Sequence, residues 1–134
     1  GRIIDLFEQK GLKLVGLKMM VMPRGLAEQH YAEHRGKPFF PGMVDFIVSG
    51  PVVAMVWEGP GAVKAVRDMM GATNPLDAVP GSIRGSLAVD ITRNVVHGSD
   101  SPESSSREIG LFFRPEELVE YTRPADAWLR EGGS

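Results

Sequence analysis

The chain has 134 residues, 43% hydrophobic and 24% charged, enough for one globular domain with its own core. Fifteen Lys and Arg against seventeen Asp and Glu leave a formal net charge of -2, so no global basic field points to nucleic acid. The absence of cysteine excludes disulfides, thiolate metal sites and cysteine nucleophiles together, and does not decide the compartment. Residues Ile3, Ile4, Leu6 and Phe7 recur at helical spacing and stop at Gly11, a natural helix cap, which predicts a first helix. No initiating Met, signal peptide or cap precedes that helix, so an upstream segment is expected. Leu12 to Met20 is an apolar run of strand length with basic residues facing out.

Gly25 to Glu33 suits a short polar helix, and Pro38 separates it from a second helix over Phe39 to Val48 that ends at Gly50-Pro51. The stretch Val52 to Trp57 is β-branched and continuously apolar, as a buried central strand would be, and falls far short of the roughly 20 residues needed to cross a bilayer. After Gly59-Pro60-Gly61, Val63, Val66, Met69 and Met70 mark a helix that Gly71 caps. The segment 73–94 is dense in Thr, Asn, Asp, Pro and Gly and reads as a long irregular loop, a kind that is usually functional. Ser99 to Glu103 looks like a helix start with an acidic first turn, Ile109 to Phe113 like a buried strand, and Pro115 to Val119 like a short terminal helix. The methionines, from Met19 to Met70, read as core filler.

The stretch from Asn94 to Asp100 carries His97 between an apolar pair and a glycine, just before a helix start. An imidazole titrates near neutrality and can serve as nucleophile, base or metal ligand, while a lone histidine at the end of an apolar run is more often a structural hydrogen-bonding group. Arg67, Thr73 and Arg84 bracket the loop, and two guanidinium forks with a hydroxyl suit polyphosphate oxygens, although surface arginines are common. His30 and His34 stand at the i,i+4 spacing of helical zinc ligands, yet no third ligand lies at a matching position, so both are read as structural.

Asn94, His97, Ser99 and Asp100 match an N-x-x-H-x-S-D signature, and this resembles the nucleoside diphosphate kinase family. The resemblance extends in order through His30-Tyr31, Lys37 to Phe40, Ser49 to Gly59, Gly71 to Pro75, Pro80 to Gly85 and Arg107 to Ile109, covering nearly the whole chain. It implies a ping-pong enzyme: His97 takes the γ-phosphoryl group of ATP or another nucleoside triphosphate and passes it to a diphosphate. It further implies that Glu108 orients His97 with support from Ser99, that Tyr31 lines the site, and that Arg67, Thr73 and Arg84 hold phosphate. By the same resemblance Asn94 contacts the sugar, the base stacks between Phe39 and Ile91, and Mg2+ bridges the phosphates without a protein metal site.

The fold so implied is an α/β sandwich of ferredoxin-like type, a four-stranded antiparallel sheet with packed helices, of which three strands are visible here. Residues 1–134 would be a single, N-terminally truncated domain of a cytoplasmic homo-oligomer, with a hexamer favoured over a tetramer because the tail from Tyr121 to Glu131 looks like the extension of hexameric members. Two departures stand out. The family's opening strand, with a Lys-Pro-Asp-Gly segment whose lysine reaches the γ-phosphate, does not occur in this chain, and Ser86-Leu87 replaces the usual Asp-Phe. The alternative reading is therefore a catalytically weak nucleotide-binding scaffold that lacks the lysine.

Overall fold

The computed structural model describes residues 1–88, 95–124 and 126. Helix α1 (Arg2–Lys10) turns Phe7 inward and ends at Gly11, whose φ of 100° is left-handed and directs its N–H back to the Glu8 carbonyl at 3.0 Å. Strand β1 (Lys13–Val21) then pairs antiparallel with β2 (Pro51–Glu58), in register from Lys13 opposite Glu58 to Val21 opposite Pro51, with one irregularity between Leu14 and Gly16. Between the strands lie α2 (Arg24–His30), a 3-10 turn at Ala32–His34 and α3 (Phe40–Ile47). Helices α4 (Ala62–Met70), α5 (Ile83–Leu87) and α6 (Pro102–Phe112) follow, and a 3-10 turn at Pro115–Glu117 leads into the last described segment.

Three apolar clusters divide the core. Phe7, Leu12, Met70 and Ile83 join α1, α4 and α5; Val15, Val56 and Phe113 join the sheet to the end of α6; Met22, Ala27 and Val44 join α2 to α3. Phe112 packs against the third cluster while its neighbour Phe113 lies in the second, so the C-terminal end of α6 is anchored on two sides. The chain then returns along β1, where the Val119 N–H bonds the Val15 carbonyl at 2.8 Å and Arg123 donates to the Leu12 carbonyl at 2.7 Å.

Several expectations change. The segment Ile109 to Phe113 is the last turn of α6 with its C-cap Phe113 and not a strand: Ser101 caps the helix start by accepting from the Ser104 N–H, and Pro102 occupies its first position. Its apolar residues at 109, 112 and 113 fit the i, i+3, i+4 spacing of a helix face, which so short a run does not distinguish from a strand. The segment read as a loop from residue 73 contains α5, which Ser82 caps by accepting from the Gly85 N–H. The helix expected from Gly25 to Glu33 breaks at Tyr31 into α2 and the 3-10 turn, and the terminal helix is only the 3-10 turn at Pro115–Glu117.

Among the described residues the sheet has two strands where three were expected, and β2 buries Val56 while leaving Pro51 and Val53 exposed. Met22 and Met70 do fill the core, but Met19 is 74% exposed on the outer face of β1. No helix among the described residues is long and apolar enough to cross a membrane.

Phe7 is 2% exposed and meets Trp57 edge-on with ring centroids 5.3 Å apart. Phe7→Ala should therefore destabilise the fold by about 3–5 kcal/mol, read as a lowered midpoint in urea unfolding; a loss under roughly 1 kcal/mol would remove Phe7 from the core.

Candidate active site

His97 sits in the turn that leads into α6, and the backbone is pinned on either side of it. Arg84 Nη2 donates to the Val96 carbonyl at 2.7 Å, and Arg67 Nη1 donates to the Gly98 carbonyl at 3.1 Å. Gly98 lies directly on the core, since a Cβ there would stand 2.5 Å from Met70 Sδ. Only glycine lets the turn approach α4 that closely. Val95, with φ 75°, takes a conformation that side chains with a Cβ rarely adopt, so the backbone is strained as it enters the turn.

The imidazole of His97 is half-exposed, and its Nε2 lies 2.7 Å from Glu108 Oε1. Glu108 belongs to the middle of α6, one turn before the anchored Phe112, and is only 8% exposed. Burial pushes its carboxyl pKa up, but hydrogen bonds from His97 and Ser99, with the charges of His97 and His30, outweigh this and bring it down to about 2. A third ring completes the group. Buried His30, from the end of α2, places Nδ1 3.3 Å from the same Glu108 oxygen and meets the His97 ring edge-on at 4.6 Å. Burial lowers the pKa of His30 to about 4, helped by His97 and Arg107 against the opposing pull of Glu108. It is neutral at pH 7.

Tyr31 packs on His30 at 4.6 Å and stands 6.3 Å from His97, with its phenol pKa raised by burial and by Glu108. Arg107, beside Glu108, reaches across to the carbonyls of Gln29 and His30, at 3.1 and 3.3 Å, and so fastens α6 to the end of α2. With Nε2 of His97 turned to a carboxylate, the other ring nitrogen, Nδ1, keeps its lone pair for a reaction partner.

Among the residues singled out from the sequence, His97, Glu108, Ser99 and Tyr31 lie together. Arg67 and Arg84 meet at the same turn, close enough that Arg67 lowers the pKa of Arg84, although burial is the larger cause. Arg84 spends a further donor on the Gly71 carbonyl at 3.2 Å. Thr73 is exposed in the segment after α4, and Phe39 is half-exposed, with its ring 5.4 Å from His34. Ile91 and Asn94 lie outside the described residues, as does most of the tail, including Trp128.

The sequence reading missed His30 and Arg107 as parts of the site. It sought a helical partner for His30 in His34, but α2 ends between them and His34 turns toward Phe39. The partners of His30 are remote in sequence and no spacing rule finds them. The groups among the described residues that could hold a metal reduce to His30, His97 and Glu108. Two nitrogens and one oxygen are a poor match for Mg2+, which prefers oxygen ligands in octahedral array.

A nucleophilic nitrogen oriented by a buried carboxylate, beside two fixed guanidinium groups, defines a covalent group-transfer site suited to anionic substrates. The family model described as "Nucleoside diphosphate kinase" matches residues 1–118. The chain is 61% identical to the nucleoside diphosphate kinase of Carboxydothermus hydrogenoformans over 131 residues, covering 98% of this chain and 88% of the relative. It is 63% identical to that of Desulforamulus reducens over the same shares of both chains. A solved structure of the Halobacterium salinarum nucleoside diphosphate kinase in complex with CDP superposes with a TM-score of 0.95 at 53% identity, covering 98% of this chain and 88% of that one. The chain belongs to the nucleoside diphosphate kinase family.

The two coupled groups fix the response to acid. The folded-state pKa of His30 lies below its unfolded value of 6.5, so its protonation favours the unfolded chain, and stability should fall as pH drops from about 6.5 toward 4. Glu108, depressed from 4.5 to about 2, extends the loss below that window. His30→Gln should flatten the upper part of the slope, worth at most roughly 3 kcal/mol, in urea unfolding followed across pH; an unchanged slope would show that His30 is not buried neutral.

Proposed function

We propose that this protein is a nucleoside diphosphate kinase whose phosphoryl carrier is His97. The observation that carries the reading is the 2.7 Å contact between His97 Nε2 and buried Glu108, which leaves Nδ1 as the nucleophile. In the first half-reaction the Nδ1 lone pair attacks the γ-phosphorus of a nucleoside triphosphate such as ATP. An N–P bond forms, the bond to the bridging oxygen breaks, and the nucleoside diphosphate leaves with that electron pair. The Nε2 proton stays between His97 and Glu108, and the carboxylate offsets the positive charge that grows on the ring. In the second half-reaction a terminal oxygen of another diphosphate attacks the same phosphorus and the N–P bond breaks.

Arg67 and Arg84, fixed by the carbonyls of Gly98 and Val96, meet the phosphate oxygens without having to be ordered first. Thr73 adds a hydroxyl, Tyr31 walls the site beside His97, and Ser99 holds Glu108. Half-exposed Phe39 offers a face on which any base stacks, and the resemblance assigns Ile91 to the base and Asn94 to the sugar. Mg2+ belongs to the substrate, riding on the nucleotide phosphates and neutralising their charge.

The whole chain acts as one domain of a ferredoxin-like, four-stranded antiparallel sandwich, a reading supported by the antiparallel β1–β2 pairing and by the apolar clusters that join the sheet to helices. Exposed Leu17, Met19 and Val21 on β1, with Val53 on β2, are apolar surface that a homo-oligomer, a hexamer by preference, would cover.

Intact-mass spectrometry after brief incubation with ATP and Mg2+ at neutral pH should show one added phosphoryl group, acid-labile and transferable to GDP. Absence of the adduct with nucleotide still bound would replace the enzyme by a binding scaffold. His97→Ala should abolish the adduct and keep nucleotide affinity within a factor of about 3, because the nucleophile acts mainly in the chemical step. Arg84→Ala should weaken ATP and GTP equally, by roughly tenfold or more; a loss confined to one base would sink the phosphate role.

A further inference from the structure

The group around Glu108 contains more ligating atoms than phosphoryl transfer uses. His30 is buried, and its Nδ1 is without a hydrogen-bond partner although it lies 3.3 Å from Glu108 Oε1. His30, His97 and Glu108 each offer one ligand atom, all within 4.8 Å of one another. Two imidazoles and one carboxylate form a donor set that zinc uses in open sites, with a fourth position left for water. A tetrahedral zinc with bonds of about 2.0–2.1 Å holds its ligand atoms about 3.3 Å apart. The His30 to Glu108 pair already has that separation at 3.3 Å, the His97 to Glu108 pair, at 2.7 Å, has to open by roughly 0.6 Å, and the two imidazole nitrogens, within 4.8 Å of each other, have to close by up to about 1.5 Å. The half-exposed ring of His97 provides both the freedom to do so and the way in.

We propose that His30, His97 and Glu108 form a zinc site that switches phosphoryl transfer off. A neutral imidazole carries one proton. Zinc takes the lone pair at Nε2 of His97, the proton that Nε2 held moves to Nδ1, and the nitrogen that attacks phosphorus loses its lone pair. Glu108 keeps its charge and becomes a ligand in place of a hydrogen-bond acceptor, and His30 contributes Nδ1 while keeping its own proton on Nε2. Zinc and substrate phosphorus therefore compete for one ring through its two nitrogens, without touching the same atom. Metal binding stands on the three side chains alone, whereas the inhibition rests on the kinase reading above.

Equilibrium dialysis of the full chain against zinc, with no nucleotide present, should find one ion per chain. His30→Gln should weaken that binding at least tenfold, and His34→Gln, outside the group, should leave it unchanged. Nitrogen-15 NMR of the wild-type imidazoles reads the tautomer without any variant: zinc should move the His97 proton from Nε2 to Nδ1. Preloading with zinc should also prevent the phosphoryl adduct from forming with ATP and Mg2+. Equal affinity in His30→Gln, or a His97 that keeps its Nε2 proton with zinc bound, would overturn the site. Undiminished phosphorylation of the zinc-loaded protein would overturn the switch. A protein that binds zinc with the expected tautomer but is never phosphorylated would instead overturn the kinase reading and leave the site standing.

Discussion

A carboxylate withdrawn from water is tolerable only if its lone pairs are occupied, and Glu108 is where this requirement organises the molecule. Desolvation alone would favour the neutral acid, which could not orient a histidine as an acceptor. His97 and Ser99 reverse that balance by hydrogen bonding, and they come from the turn that precedes the same helix. The site is therefore partly self-contained: α6 supplies the carboxylate, and the segment entering α6 supplies the groups that keep it ionised. What α6 cannot supply is exclusion of water from the far side. Buried His30 and partly buried Phe112, packed edge-on at 5.2 Å, do this, and the bonds of Arg107 to two α2 carbonyls hold α6 against that wall.

The two arginines satisfy a complementary constraint. Like charges at one turn repel, and burial of Arg84 adds to the cost. Carbonyls of Gly71, Val96 and Gly98 offset part of it, and in doing so they set the direction of the backbone on either side of His97. Among the described residues neither guanidinium has a carboxylate in ion-pair contact. His97 and the two guanidinium groups thus share the same few peptide units, which makes the position of one inseparable from that of the other.

Much of this was legible in the sequence where the determinants are local. Gly11 ends α1 because only a residue without a Cβ takes its φ at low cost, and the apolar spacing of α4 needs no tertiary information. The helix start at Ser99 to Glu103 is legible, but the end of α6 is not, because Ile109 to Phe113 is too short for period to separate the last turn of that helix from a strand. The motif around His97 was visible because its members are contiguous. His30 was not, because its role comes from proximity to a helix far along the chain, and Arg107 stands in a motif that gives it no purpose for the same reason.

That distance has a consequence for synthesis. The Arg107 bond to the His30 carbonyl spans 77 positions, so the wall of the site closes only once α6 has been made and has docked. A nascent chain still short of α6 has α2 and His30 but no carboxylate to set the tautomer of His97. The reactive imidazole is thereby assembled last, and its nucleophilicity is a property of the completed fold that no fragment ending before α6 can have.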